Sequence, residues 1–384
     1  MTDHLPTDGA LVGRALALAA RGAGAVSPNP LVGAVVAGPD GEVWGEGWHG
    51  RYGGPHAEVW AIRDAERRGF GDRLREATVA VTLEPCSHWG KTPPCAGLLA
   101  DRGVARVVVA MEDPFPAVAG RGIAQLRAAG IEVTVGVRQP EAARLVEAFT
   151  THLATGRPLV TLKTAATLDG QVATASGDSR WVSSPAARAL VHRLRAEHDA
   201  VLVGAGTARA DDPTLTVRDV PLGPGQTHPL RVVLDRAGSL SPSLGLWTDG
   251  AAPTLAAVGP DAQPAYADGL VAAGGGVWTL PLRDGHLDLG VLLDRLGSGD
   301  GLPGGRRPVQ SLLVEPGPGL ATALWREDAV DRVVWVVAPK LVGTGTPAVG
   351  HLGTPRLADA TVFCDGRWET AGPDAVFVGY RRPV

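Results

Sequence analysis

This sequence has few cysteines, little net charge and no long apolar run. Three cysteines in 384 residues are too few for a disulfide framework. With a formal net charge of −4, the chain lacks the excess of basic residues that binds nucleic acid or an anionic membrane. The chain also lacks the roughly 18 consecutive apolar residues of a membrane span and the basic start of a signal peptide. We therefore expect a cytoplasmic protein with no nucleic-acid or membrane partner.

The length and the pattern of the chain predict two α/β domains. A chain of 384 residues is longer than a typical single domain. Its content of 45% hydrophobic and 20% charged residues is typical of a globular protein. Segments typical of strands and helices alternate in both halves, which predicts sheets with a largely parallel portion. Thr155-Gly156-Arg157-Pro158 is a helix stop followed by a loop, so we place the domains at 1–153 and 158–384.

The elements predicted in the first half surround a hairpin signal at Gly38-Pro39-Asp40-Gly41. They are strands at Leu31–Ala37, Glu42–Trp48, Ala77–Leu83, Ala105–Met111 and Ile131–Val137, and helices at His56–Arg68, Pro93–Arg102, Gly122–Ala129 and Glu141–Ala154. In the second half the predicted strands are Leu159–Thr164, Ala200–Val203, Arg231–Asp235, Thr254–Val258, Val277–Leu280, Ser311–Glu315, Arg332–Ala338 and Ala375–Tyr380. The helices predicted there are Pro185–Glu197, Leu289–Leu296 and Leu320–Arg326.

One group of residues in the first half has the composition of a catalytic zinc site. His56, Cys86 and Cys95 offer an imidazole and two thiolates, which leaves the fourth position of a tetrahedral zinc for water. Zinc in such a site lowers the pKa of water to about 7. Glu58 supplies a carboxylate that need not bind the metal and can carry a proton to a leaving amine. The pattern predicts hydrolytic deamination of an aminated heterocycle.

Other interpretations of these residues stay open at the level of sequence. His49 or His88 as a fourth ligand would give a closed, structural zinc site, and a site without metal is a further alternative. Eight residues separate Cys86 from Cys95, whereas nucleoside deaminases usually have two. Lys91 and Thr92 in this loop suit a phosphorylated substrate, or they belong to a plain surface loop.

The segment from Glu84 to Cys95, E-P-C-S-H-W-G-K-T-P-P-C, together with His56-Ala57-Glu58 and P-N-P-L-V-G at 28–33, resembles the bifunctional riboflavin-biosynthesis deaminase/reductase family. The resemblance covers both halves. It implies a cytidine-deaminase-like three-layer domain followed by a dihydrofolate-reductase-like α/β domain. It also implies zinc ligands at His56, Cys86 and Cys95, a proton shuttle at Glu58, and substrate contacts at Asn29, His49, Lys91 and Thr92.

Two glycine-containing turns in the second half carry little information by themselves. Val203-Gly204-Ala205-Gly206-Thr207 lacks the third glycine of a dinucleotide fingerprint, so a turn of small residues is the simpler interpretation. Glu315-Pro316-Gly317-Pro318-Gly319 before a helix suits a pyrophosphate, although its two prolines remove two amide donors. Pro316 is also a departure from the family, where many members have glycine.

The family resemblance gives these turns a role. The segments L-K-T-A-A-T-L-D-G at 162–170, S-G-D-S-R-W at 176–181 and D-D-P at 211–213 resemble the opening of the family's reductase domain. This implies NADPH as cofactor, bound by Ala165, Trp181, Thr207, Asp211, Ser239 and Gly317. It implies contacts with the sugar-phosphate substrate from Lys163, Ser179, Arg195, Leu215, Arg218 and Glu315. Arg195 and Arg218 can hold a phosphate, although Arg195 is equally compatible with a solvated helix face.

We therefore expect a homo-oligomeric, two-domain enzyme that acts on pyrimidine ribosyl phosphates with zinc and NADPH. The first domain would deaminate the pyrimidine and the second would reduce the ribosyl to a ribityl side chain, with Lys163 or Asp211 as candidate acid-base groups. Two rival hypotheses remain. One is a cytidine- or adenosine-type deaminase fused to an unrelated α/β domain, and the other is a binding module held together by zinc that catalyses no reaction.

Overall fold

The computed structural model describes residues 7–87, 94–116 and 119–383. The chain forms two compact units, of which the first runs to Leu153 and includes Gly223–Gln226, and the second comprises Ala154–Leu222 and Thr227–Pro383. In the described part of the chain, no helix has both the length and the apolar character required to span a membrane.

The first unit contains a five-stranded mixed sheet. Its strands are β1 (Gly33–Ala37), β2 (Val43–Trp48), β3 (Thr78–Val81), β4 (Arg106–Val109) and β5 (Glu132–Val135), in the order β2-β1-β3-β4-β5. β1 is antiparallel to β2 and β3, whereas β3, β4 and β5 are parallel. The helices are α1 (Asp8–Ala19), α2 (Ala57–Arg67), α3 (Cys95–Arg102), α4 (Arg121–Ala128), α5 (Gln139–Leu145) and α6 (Glu147–Thr155).

Helices cover both faces of this sheet, which gives three layers. One apolar core joins the sheet to α2, α3 and α4, and another joins it to α1 and α5. The single helix predicted over Glu141–Ala154 is wrong, because two helices occupy this region. Val146 separates them at φ −103° and ψ 15°, and its buried side chain packs into the core with α1.

Two glycines allow α2 to lie directly against the edge strand β2. A Cβ atom on Gly45 would collide with the backbone carbonyl of Ala61, and one on Gly47 would collide with that of Ala57. Because no side chain intervenes, the start of α2 is held close to the sheet. This start carries His56 and Glu58.

The second unit is built around a nine-stranded sheet, and two separate pairs of strands bring its described strands to thirteen. The strands are β6 (Leu159–Thr167), β7 (Gln171–Thr174), β8 (Ala200–Gly204), β9 (Leu230–Leu234), β10 (Thr254–Val258), β11 (Gly276–Thr279), β12 (Leu282–Arg283), β13 (His286–Leu287), β14 (Ser311–Val314), β15 (Arg332–Ala338), β16 (Gly345–Pro347), β17 (Cys364–Ala371) and β18 (Asp374–Tyr380). The separate pairs are β12 with β13 and β7 with β16. The helices are α7 (Pro185–Glu197), α8 (Ala205–Asp211), α9 (Gly245–Thr248), α10 (Pro264–Ala272), α11 (Leu289–Ser298) and α12 (Pro318–Arg326).

The large sheet has the order β11-β10-β9-β8-β14-β6-β15-β18-β17. It is parallel from β11 to β15 and antiparallel at β18 and β17. Two apolar cores cover it, one containing the α11 and α12 side chains and the other containing those of α7 and α10. Because parallel strands end at the same edge, the turns after β9, β8, β14 and β6 lie along one side of the sheet.

The α/β layers predicted from the sequence are confirmed, although some elements were not predicted. α8 lies where a turn of small residues was expected, and β7, β16 and β17 were not predicted as strands. β17 is exposed along nearly its whole length, so its sequence lacks the alternation of apolar and polar residues that identifies a half-buried strand.

Candidate active sites

Three elements of the first unit converge on the predicted zinc ligands. His56 is the N-cap residue of α2, and Cys95 is the first residue of α3. Cys86 follows β3 by a short segment, and its sulfur accepts a hydrogen bond from the Cys95 backbone N–H at 3.3 Å. The starts of two helices therefore face the sulfur atoms, and their partial positive charge stabilises thiolates.

The three donor atoms have the spacing that a tetrahedral zinc requires. His56 Nδ1 lies 3.6 Å from Cys86 Sγ and 3.4 Å from Cys95 Sγ, and all three ligand atoms lie within 4.8 Å of one another. Zinc–sulfur bonds of about 2.3 Å and a zinc–nitrogen bond of about 2.0 Å at tetrahedral angles place nitrogen and sulfur about 3.5 Å apart. Among the described residues, the donor set and its geometry fit one zinc ion bound through three side chains.

The pKa values of the two cysteines are shifted in opposite directions. The hydrogen bond from the Cys95 thiol lowers the pKa of Cys86 to about 4, and His56 acts in the same direction. The same hydrogen bond, together with burial, raises the pKa of Cys95. An ion that binds both sulfur atoms as thiolates must displace the proton that they share.

Glu58 lies in the first turn of α2 with only 3% of its surface exposed. Its Oε2 atom has no hydrogen-bond partner among the described residues. Burial raises the pKa of its carboxyl group, and the charge of Cys86 raises it further. A buried carboxylate without a partner for one oxygen is costly, so this oxygen is suited to receive a proton from a bound water or substrate.

His49 does not act as a fourth ligand in this structure. Its Nδ1 lies 3.1 Å from the Pro55 carbonyl oxygen and its Nε2 lies 3.1 Å from Asn29 Nδ2. Nδ1 therefore donates and Nε2 accepts, and burial lowers the pKa of the ring. The ring packs edge-on against His56 at 5.4 Å between centroids. The structure thus contradicts the closed-site alternative through His49, and brings Asn29 and His49 together beside His56.

Three other residues considered for this site, His88, Lys91 and Thr92, lie outside the described residues. One residue that sequence reasoning did not single out is Glu84, which is 3% exposed. Its carboxylate accepts hydrogen bonds from the backbone N–H groups of Asp113, Gly120, Gly122 and Ile123 at 3.2, 2.9, 2.8 and 3.1 Å. An acidic residue directly before Pro85-Cys86, at the end of a buried strand, was the available signal.

The second unit contains a cavity of about 750 Å³ at the carboxyl ends of β8 and β14. Four residues predicted to bind substrate or cofactor line it together: Ser179, Thr207, Asp211 and Gly317. Arg180, which was not predicted, also lines the cavity and forms an ion pair with Asp211 at 3.4 Å. A position outside the carboxyl ends of parallel strands is typical of nucleotide sites.

The turn after β14 forms one wall of this cavity. Gly317 is the N-cap of α12, and Pro318 occupies the first helical position, where its missing N–H would have no helical partner in any case. A Cβ atom on Gly317 would lie 3.3 Å from Thr207 Oγ1, so glycine keeps this wall open. The backbone N–H groups of Gly319 and Leu320 remain available there, and such groups at a helix start bind phosphate oxygens. The cradle therefore fits a pyrophosphate despite its two prolines.

The other predicted cofactor residues lie outside the lining of this cavity. Trp181 is 61% exposed, and its ring lies 4.4 Å from the Arg188 guanidinium. Its carbonyl accepts a hydrogen bond from Lys340, a residue that was not predicted. Ala165 lies on β6, and Ser239 follows β9.

Arg195 and Glu315 form a buried ion pair. The Arg195 Nε and Nη2 atoms donate to the two Glu315 carboxylate oxygens at 2.6 and 2.8 Å, and Nη1 donates to the Thr216 carbonyl at 3.1 Å. Arg195 is 7% exposed, so the alternative of a solvated helix face is contradicted. Burial favours the protonated acid, but the charge of Arg195, its hydrogen bonds and the charge of Lys163 together lower the pKa of Glu315.

Three further predicted substrate residues lie close to this pair. Lys163 on β6 is half-buried; burial lowers the pKa of its ammonium group, and the charge of Glu315 opposes this. Arg218 donates its backbone N–H to His192 Nδ1 at 3.1 Å and a guanidinium N–H to the Thr216 hydroxyl at 3.3 Å. Leu215 is 1% exposed at φ 50°, so its side chain belongs to the core and only its backbone can meet a ligand.

Comparison with known protein families gives two matches. The zinc-binding region of cytidine and deoxycytidylate deaminases matches residues 6–111, and the RibD C-terminal domain matches residues 158–377. These matches confirm the predicted fold class of a deaminase-like domain followed by a reductase domain.

Individual proteins resemble the chain over nearly its whole length. The riboflavin biosynthesis protein RibD of Escherichia coli K12 is 41% identical over 373 residues, which cover 94% of this chain and 96% of that protein. RibD of Bacillus amyloliquefaciens is 42% identical, and the match covers 86% of this chain and 84% of that protein. Among solved structures, Acinetobacter baumannii RibD is 35% identical with a TM-score of 0.82, covering 98% of this chain and 99% of that chain.

The Thermotoga maritima diaminohydroxyphosphoribosylaminopyrimidine deaminase/5-amino-6-(5-phosphoribosylamino)uracil reductase is also similar in structure. It is 35% identical with a TM-score of 0.79, and the match covers 97% of this chain and 98% of that chain.

The ligand geometry predicts that zinc content depends on Cys95. We expect one zinc per chain in the unchanged protein, and only a small fraction of that in Cys95→Ser, because the substitution removes one thiolate. Elemental analysis by mass spectrometry measures this. Cys364→Ser is the matched control, because that sulfur lies in the second unit and donates to the Tyr380 carbonyl. Full zinc content in Cys95→Ser would contradict the ligand assignment.

Proposed function

The chain belongs to the RibD family of riboflavin-biosynthesis enzymes, and from this membership we propose which of its residues carry out each of the two reactions. It is a bifunctional enzyme with a zinc-dependent deaminase and an NADPH-dependent reductase. The first reaction replaces the exocyclic amine of a diaminopyrimidinone ribosyl phosphate by oxygen, and the second reduces the ribosyl to a ribityl group. We assign deamination to residues 1–153 and reduction to residues 158–384.

The observation that supports the deaminase assignment best is the convergence of His56, Cys86 and Cys95 beside the buried Glu58. These three side chains would hold the zinc ion. When bound, zinc supplies a Lewis acid that lowers the pKa of water to about 7. Glu58 takes a proton from the attacking water and delivers it to the amino group, which leaves as ammonia. The hydrogen-bonded pair of Asn29 and His49 would orient the pyrimidine, together with Lys91 and Thr92.

In the reductase the protein's task is to position cofactor and sugar. NADPH, when bound, supplies the hydride that reduces the sugar carbon. Gly317 and the N–H groups at the start of α12 would hold its pyrophosphate, and Thr207 and Asp211 line the same cavity. Ala165, Trp181 and Ser239 would contact the remainder of the nucleotide.

We assign the sugar-phosphate substrate to the residues around the Arg195–Glu315 pair. Arg195 uses three of its nitrogen atoms within the protein, so its role is to hold Glu315 and the Thr216 backbone in place. The exposed guanidinium of Arg218 is then the cation that meets the phosphate, and Ser179 adds a hydroxyl group. The oxygens of Glu315 accept from sugar hydroxyls, and Leu215 contributes its backbone.

Lys163 is the group we propose as the proton donor of the reductase. Opening the ribosyl ring before reduction leaves an oxygen that requires a proton. The lowered pKa of Lys163 brings this ammonium group nearer to the pH at which general acids work well. Asp211, the other candidate, is paired with Arg180 and lies in the cofactor cavity.

We further propose that the enzyme works in the cytoplasm as a homo-oligomer. The three cysteines are sparse, as suits a reducing compartment. Near the edge strand β17, Leu357, Val362 and Trp368 are 92%, 77% and 66% exposed, and exposed apolar side chains at a sheet edge favour self-association. Light scattering of the purified chain should give a multiple of 39.5 kDa, and the monomer mass alone would contradict this assignment.

The deaminase assignment predicts that Glu58→Gln loses ammonia release by about 10²- to 10⁴-fold while it retains zinc, because the amide cannot shuttle a proton. Ammonia release from the diaminopyrimidinone ribosyl phosphate is the assay, with a chelator as a second means of inactivation. NADPH oxidation with the already deaminated substrate should be unchanged.

The matched control is Glu66→Gln, an exposed residue on the same helix that pairs with Arg102. It should deaminate normally. Ammonia release by Glu58→Gln at the unchanged rate would overturn Glu58 as the proton shuttle, whereas no ammonia release by the unchanged chain would make this half a zinc-binding module instead of an enzyme.

The reductase assignment predicts a pH dependence set by Lys163. Its pKa lies below 10.5, and the donor is the protonated form, so kcat should fall as the pH rises through that pKa. Glu315→Gln removes a negative charge that raises the Lys163 pKa, so the alkaline fall should move to lower pH. The pH profile of NADPH oxidation at saturating substrate measures both. An unmoved profile in Glu315→Gln would exclude Lys163 as the titrating group.

A further inference from the structure

An exposed arginine lies beside the proposed cofactor cavity, on the helix that forms its wall. Arg209 belongs to α8, and its neighbour Ala210 lines the cavity together with Thr207 and Asp211. The side chain of Arg209 runs toward the turn after β9, where its Nη2 atom donates to Ser239 Oγ at 2.7 Å. In the part of the chain that the structure describes, Arg209 has no carboxylate partner.

A buried carboxylate fixes the turn that Arg209 reaches. Asp235 is fully buried, and its two oxygens accept from the Ser239 N–H at 2.7 Å, the Ser239 hydroxyl at 3.0 Å, the Leu240 N–H at 2.9 Å and the Tyr266 hydroxyl at 2.6 Å. Because the Ser239 hydroxyl donates to Asp235, it can only accept from Arg209. The guanidinium is thereby oriented at the cost of one of its five N–H donors, and the other four stay available.

The location relative to the cavity suits one particular anion. β14, β8 and β9 are consecutive in the sheet, so the turn after β9 lies about two strand spacings, ~10 Å, from the turn after β14. In NADPH the same ribose carries the pyrophosphate and the 2′-phosphate, so their two binding sites must be close neighbours. An arginine near the ribose is the usual means of accommodating a 2′-phosphate, and its planar fork matches phosphate oxygens.

We propose that the Arg209 guanidinium binds the 2′-phosphate of NADPH and so makes the reductase select NADPH over NADH. Ser239 and Asp235 are positioning residues for that guanidinium. Arg236, exposed in the same turn, adds a second positive charge to this surface. The inference rests on the proposed cofactor site in the cavity of the second unit.

The test is titration calorimetry of the full-length chain with adenosine 2′,5′-bisphosphate and with 5′-AMP. The unchanged chain should bind the bisphosphate more tightly than 5′-AMP. Arg209→Ala should weaken bisphosphate binding about 10- to 100-fold, as expected for charge-assisted hydrogen bonds, and leave 5′-AMP binding unchanged. Arg209→Lys keeps the positive charge but lacks the planar guanidinium. Its affinity for the bisphosphate should lie between those of the unchanged chain and of Arg209→Ala.

Steady-state kinetics supply a second measurement and a control. Arg209→Ala should raise the KM for NADPH by a similar factor and leave the KM for NADH unaltered. Arg356→Ala is the matched control, because Arg356 is an exposed arginine of the same unit that pairs with Asp359; it should alter neither value.

The outcomes separate this inference from the assignment on which it rests. If the unchanged chain prefers the bisphosphate and Arg209→Ala retains that preference, the role of Arg209 is overturned and the cofactor site stands. If the unchanged chain binds neither nucleotide and consumes no NADPH with the deaminated substrate, the proposed reductase site fails and the inference fails with it.

Discussion

The deaminase half depends on the convergence of one imidazole nitrogen and two sulfur atoms on a single point. His56, Cys86 and Cys95 come from three different elements, and their spacing matches the bond lengths of zinc to within a few tenths of an ångström. The glycines of β2 let α2 approach the sheet, and Glu84, which follows β3, accepts three backbone hydrogen bonds from the start of α4 and one from the segment after β4. The surrounding fold therefore fixes the positions of these three side chains.

The reductase half depends on a different constraint, the shared edge at which parallel strands end. Residues far apart in sequence, such as Thr207 and Gly317, face each other because β8 and β14 are neighbours in the sheet. Buried ion pairs then fix the surroundings. Arg195 holds Glu315, so the charge near Lys163 is set by the core and not by solvent. A site of this kind positions its ligands and leaves the redox chemistry to the cofactor.

Much of the fold followed from local patterns, and the failures have identifiable causes. Buried strands such as β10 and β15 were predicted with their observed bounds, because continuous apolar runs between turn signals leave few alternatives. β17 was missed because an exposed edge strand has no apolar face. The break between α5 and α6 was missed because the helical pattern continues through Val146, whose burial depends on packing against α1.

By itself the sequence determined which donor atoms are available for a metal, since residue types and the order of motifs are local properties of the chain. It also determined the family. Only the tertiary structure decided which candidates share a site: both nitrogens of His49 are hydrogen-bonded, Arg195 is committed to Glu315, and Arg209 faces the turn after β9. Such pairings join residues far apart in the chain, and no local pattern encodes the distance between them.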